Sequence, residues 1–92
     1  MPVKVCELRH IVSQEQLFDE LSRQLRLPPH FGRNLDALYD CLANDASGPF
    51  ELVWRDTAES KQALGADLYA TVLEILETVA EARGDVTLDI HH

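Results

Sequence analysis

Cysteine is scarce: Cys6 and Cys41 are the only two in 92 residues. A chain this short that relied on disulfides would carry more, and no C-x-x-C spacing suggests a metal knuckle. Both read as free thiols acting as small buried apolar residues, which points to a reducing, cytoplasmic setting. No apolar run approaches the roughly 18 residues of a membrane span. Met1 to Leu8 has neither the apolar stretch nor the cleavage site of a signal peptide, so export is not expected. Phosphate loops, nucleophile motifs, repeats and low-complexity tracts are missing, and no cofactor or metal is expected. Lys and Arg are absent from Asn34 to Trp54, although Asp36, Asp40, Asp45 and Glu51 all fall there. The net charge is −8, from 16 acidic and 8 basic residues. Residues 1–30, by contrast, balance four acids (Glu7, Glu15, Asp19, Glu20) against four bases (Lys4, Arg9, Arg23, Arg26). An acidic surface repels nucleic acid and anionic membranes and attracts basic proteins.

What is present reads as one domain over residues 1–92. The hydrophobic fraction of 46% is ordinary for a folded chain. Val3-Lys4-Val5-Cys6 alternates as a short strand. Ser13 with Gln16 three later is a capping box, and Leu17, Leu21 and Leu25 follow at helical spacing. That helix stops before Pro28-Pro29, because proline disfavours helical geometry in the residue before it. Pro28 to Arg33 is then a loop with Gly32 as its permissive position. Asn34 caps a second helix that carries Leu35, Leu38 and Leu42 on one side and ends near Asn44. Ala46-Ser47-Gly48-Pro49 signals a turn. Phe50 to Trp54 reads as a central strand. Asp56 or Thr57 caps a short third helix ending at Gly65. Leu68 to Arg83 is a long helix with Leu68, Val72, Ile75, Leu76 and Val79 as its buried stripe and Asp67, Glu74, Glu77 and Glu81 on the far side. Gly84 follows it as the C′ residue, and Val86 to Ile90 closes the chain as a strand. His91-His92 reads as a frayed end or a tag remnant. The order β-α-α-β-α-α-β predicts an α/β fold with a three-stranded parallel sheet packed by four helices.

Asp36 and Asp40 are the pair of interest. Four apart on one helix face, they repel each other by a few tenths of a kcal/mol. Asp36 recovers part of this from the positive end of the helix dipole. In the adjacent sequence only Arg33 could neutralise them. His30, Phe31 and Tyr39 place aromatic groups beside them, and interfaces favour such side chains. A carboxylate accepts bidentate bonds from Arg, which recognises carboxylate and phosphate with one geometry. A carboxylate pair can therefore imitate the phosphates of a nucleic acid. The competing readings are a solvated acidic face and an acid/base or metal site at His30, Asp36 and Asp40. The last lacks a pocket, a nucleophile and the three or four ligands a metal needs.

The segment Leu27-Pro28-Pro29-His30-Phe31-Gly32-Arg33-Asn34-Leu35-Asp36-Ala37-Leu38-Tyr39-Asp40-Cys41-Leu42 resembles the corresponding segment of the barstar family of intracellular ribonuclease inhibitors. The likeness continues at Leu52-Val53-Trp54-Arg55 and Ser60-Lys61-Gln62 and spans essentially the whole chain. It implies competitive plugging, in which the second helix and the loop before it enter the active-site cleft of a basic ribonuclease. Under it Asp40 is the principal anchor, bonding the arginines and histidine that hold the RNA phosphate, and Asp36 pairs with a second arginine near the rim. Asn34, Ala43 and Asn44 match positions lining that interface. An acidic position on the last long helix falls at Glu77 or Thr78, and Glu77 is preferred for its charge. The barnase–barstar complex of this family is itself a standard illustration of hot spots and electrostatic steering. The resemblance also implies a monomer when free.

Three departures fall on the contact surface. A tyrosine of the family's contact loop is His30 here, a tryptophan beside the key carboxylate is Tyr39, and a second tryptophan aligns with Asp45. Aromatic contacts set specificity by shape, so a different ribonuclease is expected as partner, or another basic protein bound by the same fold. His30 also brings an imidazole, whose charge is sensitive to pH near neutrality, where tyrosine would not.

Overall fold

The computed structural model describes residues 3–91; Met1, Pro2 and His92 lie outside them. The elements run β1 (Lys4–Leu8), α1 (Gln14–Leu25), α2 (Leu35–Asp40), a π-helical turn (Cys41–Asp45), β2 (Phe50–Trp54), α3 (Thr57–Leu64), α4 (Ala66–Ala82) and β3 (Val86–Ile90). The strands form one parallel sheet in the order β1-β2-β3, so β2 is central as its apolar composition predicts. Cys6 stands opposite Leu52, which stands opposite Leu88. Alternate residues therefore share a face. Cys6, Leu8, Phe50, Leu52, Trp54 and Val86 are buried against Leu17, Leu21, Leu38, Leu42, Val72 and Leu76 of the helices. The opposite face carries Val5, Glu7, Glu51, Thr87 and Asp89, all at least partly exposed.

Local chemistry sets the element ends. Ser13 Oγ accepts from the Gln16 backbone N–H at 3.1 Å. Gln16 reaches back one residue further than the expected box: it accepts from Val12 N–H at 2.9 Å and donates to His10 O at 3.1 Å. At the other end of α1, Arg26 takes a left-handed φ of 54° and its N–H bonds Ser22 O. Gly65, with φ 92°, ends α3. Asp56 precedes α3 with φ 57° and no side-chain cap; its carboxylate instead accepts from His10 N–H at 3.3 Å.

Gly84 follows α4 as the C′ residue, after the extended cap Arg83, and has no left-handed φ. Three expectations need correction. The left-handed position before α2 is Arg33, with φ 54°, and not Gly32. Gly32 sits in a tight space: a Cβ there would lie 3.3 Å from both Ala37 Cβ and Asn34 Nδ2. On α4, Tyr69 joins the buried stripe, packing on Trp54 with ring centroids 5.1 Å apart, while Leu68 and Ile75 are only half-buried. Finally, His91 is not frayed: its N–H donates to Trp54 O at 2.8 Å and its carbonyl accepts from Thr57 N–H and Oγ1 at 3.3 and 3.1 Å.

An edge strand offers unpaired amides to any other strand. On β1 the Gln24 side chain of α1 occupies that position, with Oε1 accepting from Glu7 N–H at 3.0 Å and Nε2 donating to Glu7 O at 2.9 Å. Gln24→Leu would leave both groups facing an apolar side chain. The variant is expected to lose about 1–3 kcal/mol in urea denaturation, with a greater tendency to self-associate in sedimentation.

Candidate functional site

The loop and α2 are shaped by three side chains. Asn34 caps α2, with Oδ1 accepting from Ala37 N–H at 2.8 Å and Nδ2 donating to Gly32 O at 3.3 Å. Phe31 is buried and meets Phe18 edge-on at 5.5 Å, so it anchors the loop and does not join the surface. Arg33 turns away from Asp36 towards α1. Its Nη2 donates to Asp19 Oδ1 at 2.7 Å, and its guanidinium lies 5.9 Å from the Phe18 ring. The one base near the start of α2 is thus engaged elsewhere.

Asp36 and Asp40 are exposed, and neither has a hydrogen-bond or ion-pair partner among the described residues. They border an open groove of about 610 Å³ between α2 and α4. Leu35, Tyr39 and Ile75 give it an apolar lining; Glu74, Thr71 and Thr78 approach from α4. Glu74 therefore shares the aspartates' groove instead of facing away from them. Glu77 and Glu81 line an adjoining groove with Glu74, Thr78, Ala80 and Leu88. Of the two candidates on α4, Thr78 lies in the groove of the aspartates and Glu77 next to it.

Charge separates along the same line. The segment 34–54 and helix α4 each hold four acids and no Lys or Arg, and together they account for the whole net charge of −8. The other eight acids are matched by the eight bases. Several are physically paired: Glu7 with Arg9 and Arg55, Glu20 with Arg23, Asp19 with Arg33, and Asp85 with Arg83.

Beyond Asp40 the helix widens. Ala46 N–H donates to Cys41 O at 2.8 Å, five residues back, where a continued α-helix would bond four back. This extra residue per turn changes the angular position of Ala43, Asn44 and Asp45. Asn44 is exposed and Ala43 half-buried. Asp45 Oδ2 lies 3.9 Å from His30 Nε2, joining the end of the turn to the loop. His30 thus has Asp45 as its carboxylate neighbour, not the Asp36–Asp40 pair. Among the described residues no group of three or more His, Cys, Asp and Glu is arranged to hold a metal ion.

Sequence reasoning did not single out Arg83. From the end of α4 its Nη1 donates to Leu42 O at 2.7 Å and Ala46 O at 2.8 Å. Its Nε and Nη2 donate to the two oxygens of Asp85 at 3.0 and 2.9 Å. The only available hint was negative: a helix end in a segment without bases must have its carbonyls satisfied from elsewhere.

Protonation follows from these contacts. The hydrogen bonds from Arg83 hold the Asp85 carboxyl below its ordinary range. Burial raises the Cys6 thiol to about 12. Burial, then the hydrogen bond with Asp45, also raises Cys41. Neither cysteine has the lowered pKa of a reactive thiol.

Because the folded-state pKa of Asp85 is depressed, its contribution to stability is present above the ordinary carboxyl range. It is lost as pH falls through the folded value. Asp85→Asn should therefore be less stable than the parent at pH 7, and the gap should narrow as the solution is acidified through and below the ordinary carboxyl range. Urea midpoints across the acid range would check this; a gap independent of pH would remove the ionic role of Asp85.

No described helix is long and apolar enough to cross a membrane. The family model described as Barstar (barnase inhibitor) matches residues 1–91. A protein of Bacillus subtilis (strain 168) named "Putative ribonuclease inhibitor YrdF" is 39% identical over 82 residues, covering 89% of this chain and 86% of its own length. The parallel three-stranded sheet, the acidic α2 and the match over nearly the whole chain lead to one conclusion: this protein belongs to the barstar family.

Proposed function

We propose that the chain inhibits a basic, barnase-like ribonuclease by occluding its substrate cleft with α2 and the loop before it. The carboxylates stand where RNA phosphates would. Asp40 is the anchor, bonding the cationic groups that bind the phosphate, and Asp36 pairs with a second cation nearer the rim. His30, Tyr39, Ala43 and Asn44 supply the surrounding contact, and Asn34 holds the start of the helix. Glu77, beside the shared Glu74–Thr78 border, adds a further carboxylate. The protein acts as a monomer in the cytosol, carries out no chemistry of its own and needs no cofactor.

One observation carries the reading: Asp36 and Asp40 lie exposed, with no ion-pair partner among the described residues, at a groove whose flanking helices, α2 and α4, hold six acids and no Lys or Arg. Six acids with no base among them produce a field that accelerates encounter with a cationic protein. Carboxylates free of internal partners are available to Arg without first breaking an ion pair. Membership of a family described as barnase inhibitors, and the ribonuclease inhibitor named among its relatives, favour a ribonuclease over other basic partners. The changed aromatic positions, His30, Tyr39 and Asp45, favour a ribonuclease of different surface shape.

Inhibition should be measured against a panel of small basic ribonucleases including barnase. Asp40→Ala is expected to weaken the inhibited complex by at least about 2 kcal/mol, roughly thirtyfold. Glu59→Ala, a surface acid on α3, should cost less than about 0.5 kcal/mol. Equal effects would remove the anchor assignment, and failure to inhibit any member of the panel would overturn the reading. The association rate should also fall steeply as salt rises from low ionic strength to about 0.15 M, where the Debye length is ~8 Å. Stopped-flow rates independent of salt would contradict steering by the acidic surface.

A further inference from the structure

We infer that Arg83 is a positioning residue of the partner surface: it fixes the π turn from beneath and so sets where Asn44 and Asp45 stand relative to Asp40. The inference rests on the proposed inhibitory contact, because it concerns the shape of that surface. Its physical basis lies in the free protein.

A π turn is rare and short-lived in isolation, since its bonds are few and its geometry is poorer than that of an α-helix. Something outside it must select it. The carbonyls of Leu42 and Ala46, four residues apart, both accept from the single Nη1 of Arg83, at 2.7 and 2.8 Å. In a regular α-helix carbonyls four apart are separated by about 6 Å along the axis and point the same way. Sharing one donor at these distances draws the end of the turn back over its start. Ala46 N–H then bonds Cys41 O. The segment itself contains no cation that could do this.

The guanidinium is in turn fixed on its other sides. Asp85 takes Nε and Nη2 in a two-point pair, and the plane lies 5.1 Å from the Phe50 ring centroid. Gly48 leaves space for the pair: a Cβ there would fall 2.0 Å from Asp85 Oδ2 and 2.7 Å from Arg83 Nη2. Lysine could not make this arrangement, having one point charge and no planar fork. The Arg83 side chain is only 16% exposed. Its charge is balanced by Asp85, so it satisfies the carbonyls with little change to the net negative charge that draws a basic partner.

The test has two arms. In the free protein, Arg83→Met is expected to speed hydrogen exchange of the Ala46 amide by about tenfold or more. The Leu38 amide, bonded to Asn34 O within α2, should keep its protection. Gly48→Ala should reproduce that pattern by displacing the same pair. In the complex with whichever ribonuclease of the panel the parent inhibits, Arg83→Met should raise the dissociation rate about tenfold. Its association rate should stay within about twofold, since the steering carboxylates are untouched. Arg55→Met, which breaks an ion pair with Glu7, should change neither rate. Equal loss of protection at Ala46 and Leu38 would mean that Arg83 stabilises the fold as a whole, and would overturn the inference. An unchanged dissociation rate in the folded variant would do the same. If the parent bound no ribonuclease, the inhibitory reading alone would fall, and the exchange arm would still decide what Arg83 does to the turn.

Discussion

The C-terminal end of the helix that follows Asn34 meets a constraint that the rest of the molecule is arranged to satisfy. Helix ends leave carbonyls without partners, and a segment with four acids and no base cannot supply a donor of its own. Arg83 supplies it from 41 residues away at Leu42. That one guanidinium joins the end of α4, the π turn, the start of β2 through Phe50, and the turn at Gly48. Asp85 neutralises it, and Asp85 O accepts from Phe50 N–H at 3.1 Å, tying the pair to the first residue of the central strand. The acidic surface and the sheet register therefore meet at a single ion pair.

How much of this could be read from the sequence depends on the range of the interaction. Ser13 and Asn34 cap their helices as expected, because a cap is decided within three residues. β2 is central because Leu52, Val53 and Trp54 cannot be left in water. Gly65 ends α3 for reasons of local backbone geometry. The readings that changed all depend on distant partners. Arg33 turns to Asp19, 14 residues earlier, which removes the neutralising base that adjacency to Asp36 suggested. Phe31 goes into the core beside Phe18 instead of joining the surface aromatics. Gly32 eases the close approach of Ala37 and has no left-handed φ. The π turn has no periodicity signal at all, since Leu38 and Leu42 keep ordinary α-helical spacing although Leu42 already lies within it.

The candidate site was legible in part for the same reason. Asp36 and Asp40 share a helix face by spacing alone, and the structure keeps them together at one groove. Which residues of α4 approach them is a matter of helix packing. Glu74 and Thr78 line that groove and Glu77 its neighbour, so an acidic stripe that one-dimensional reading put on the far side of α4 curls round to meet α2. His30 likewise takes Asp45 as its neighbour, through a turn whose shape no local pattern discloses.

Concentrating unpaired carboxylates has an energetic consequence that the fold keeps small. Asp36 and Asp40 repel by only a few tenths of a kcal/mol because both are exposed to water. Leaving exposed acids without cations forgoes ion pairs that contribute at most about 1 kcal/mol each. The bases are placed instead where pairing does structural work, at Asp19, Glu20, Glu7 and Asp85. Stability comes from the apolar layer between sheet and helices, where Trp54, Phe50, Leu38 and Leu42 are fully buried. Had the surface acids been paired internally, each contact with a partner's arginine would first require breaking an existing bond. Exposure without internal pairing keeps them available to a partner's cations at little energetic cost, and the half-buried Arg83 allows the helix end beside them to close although that segment has no cation of its own.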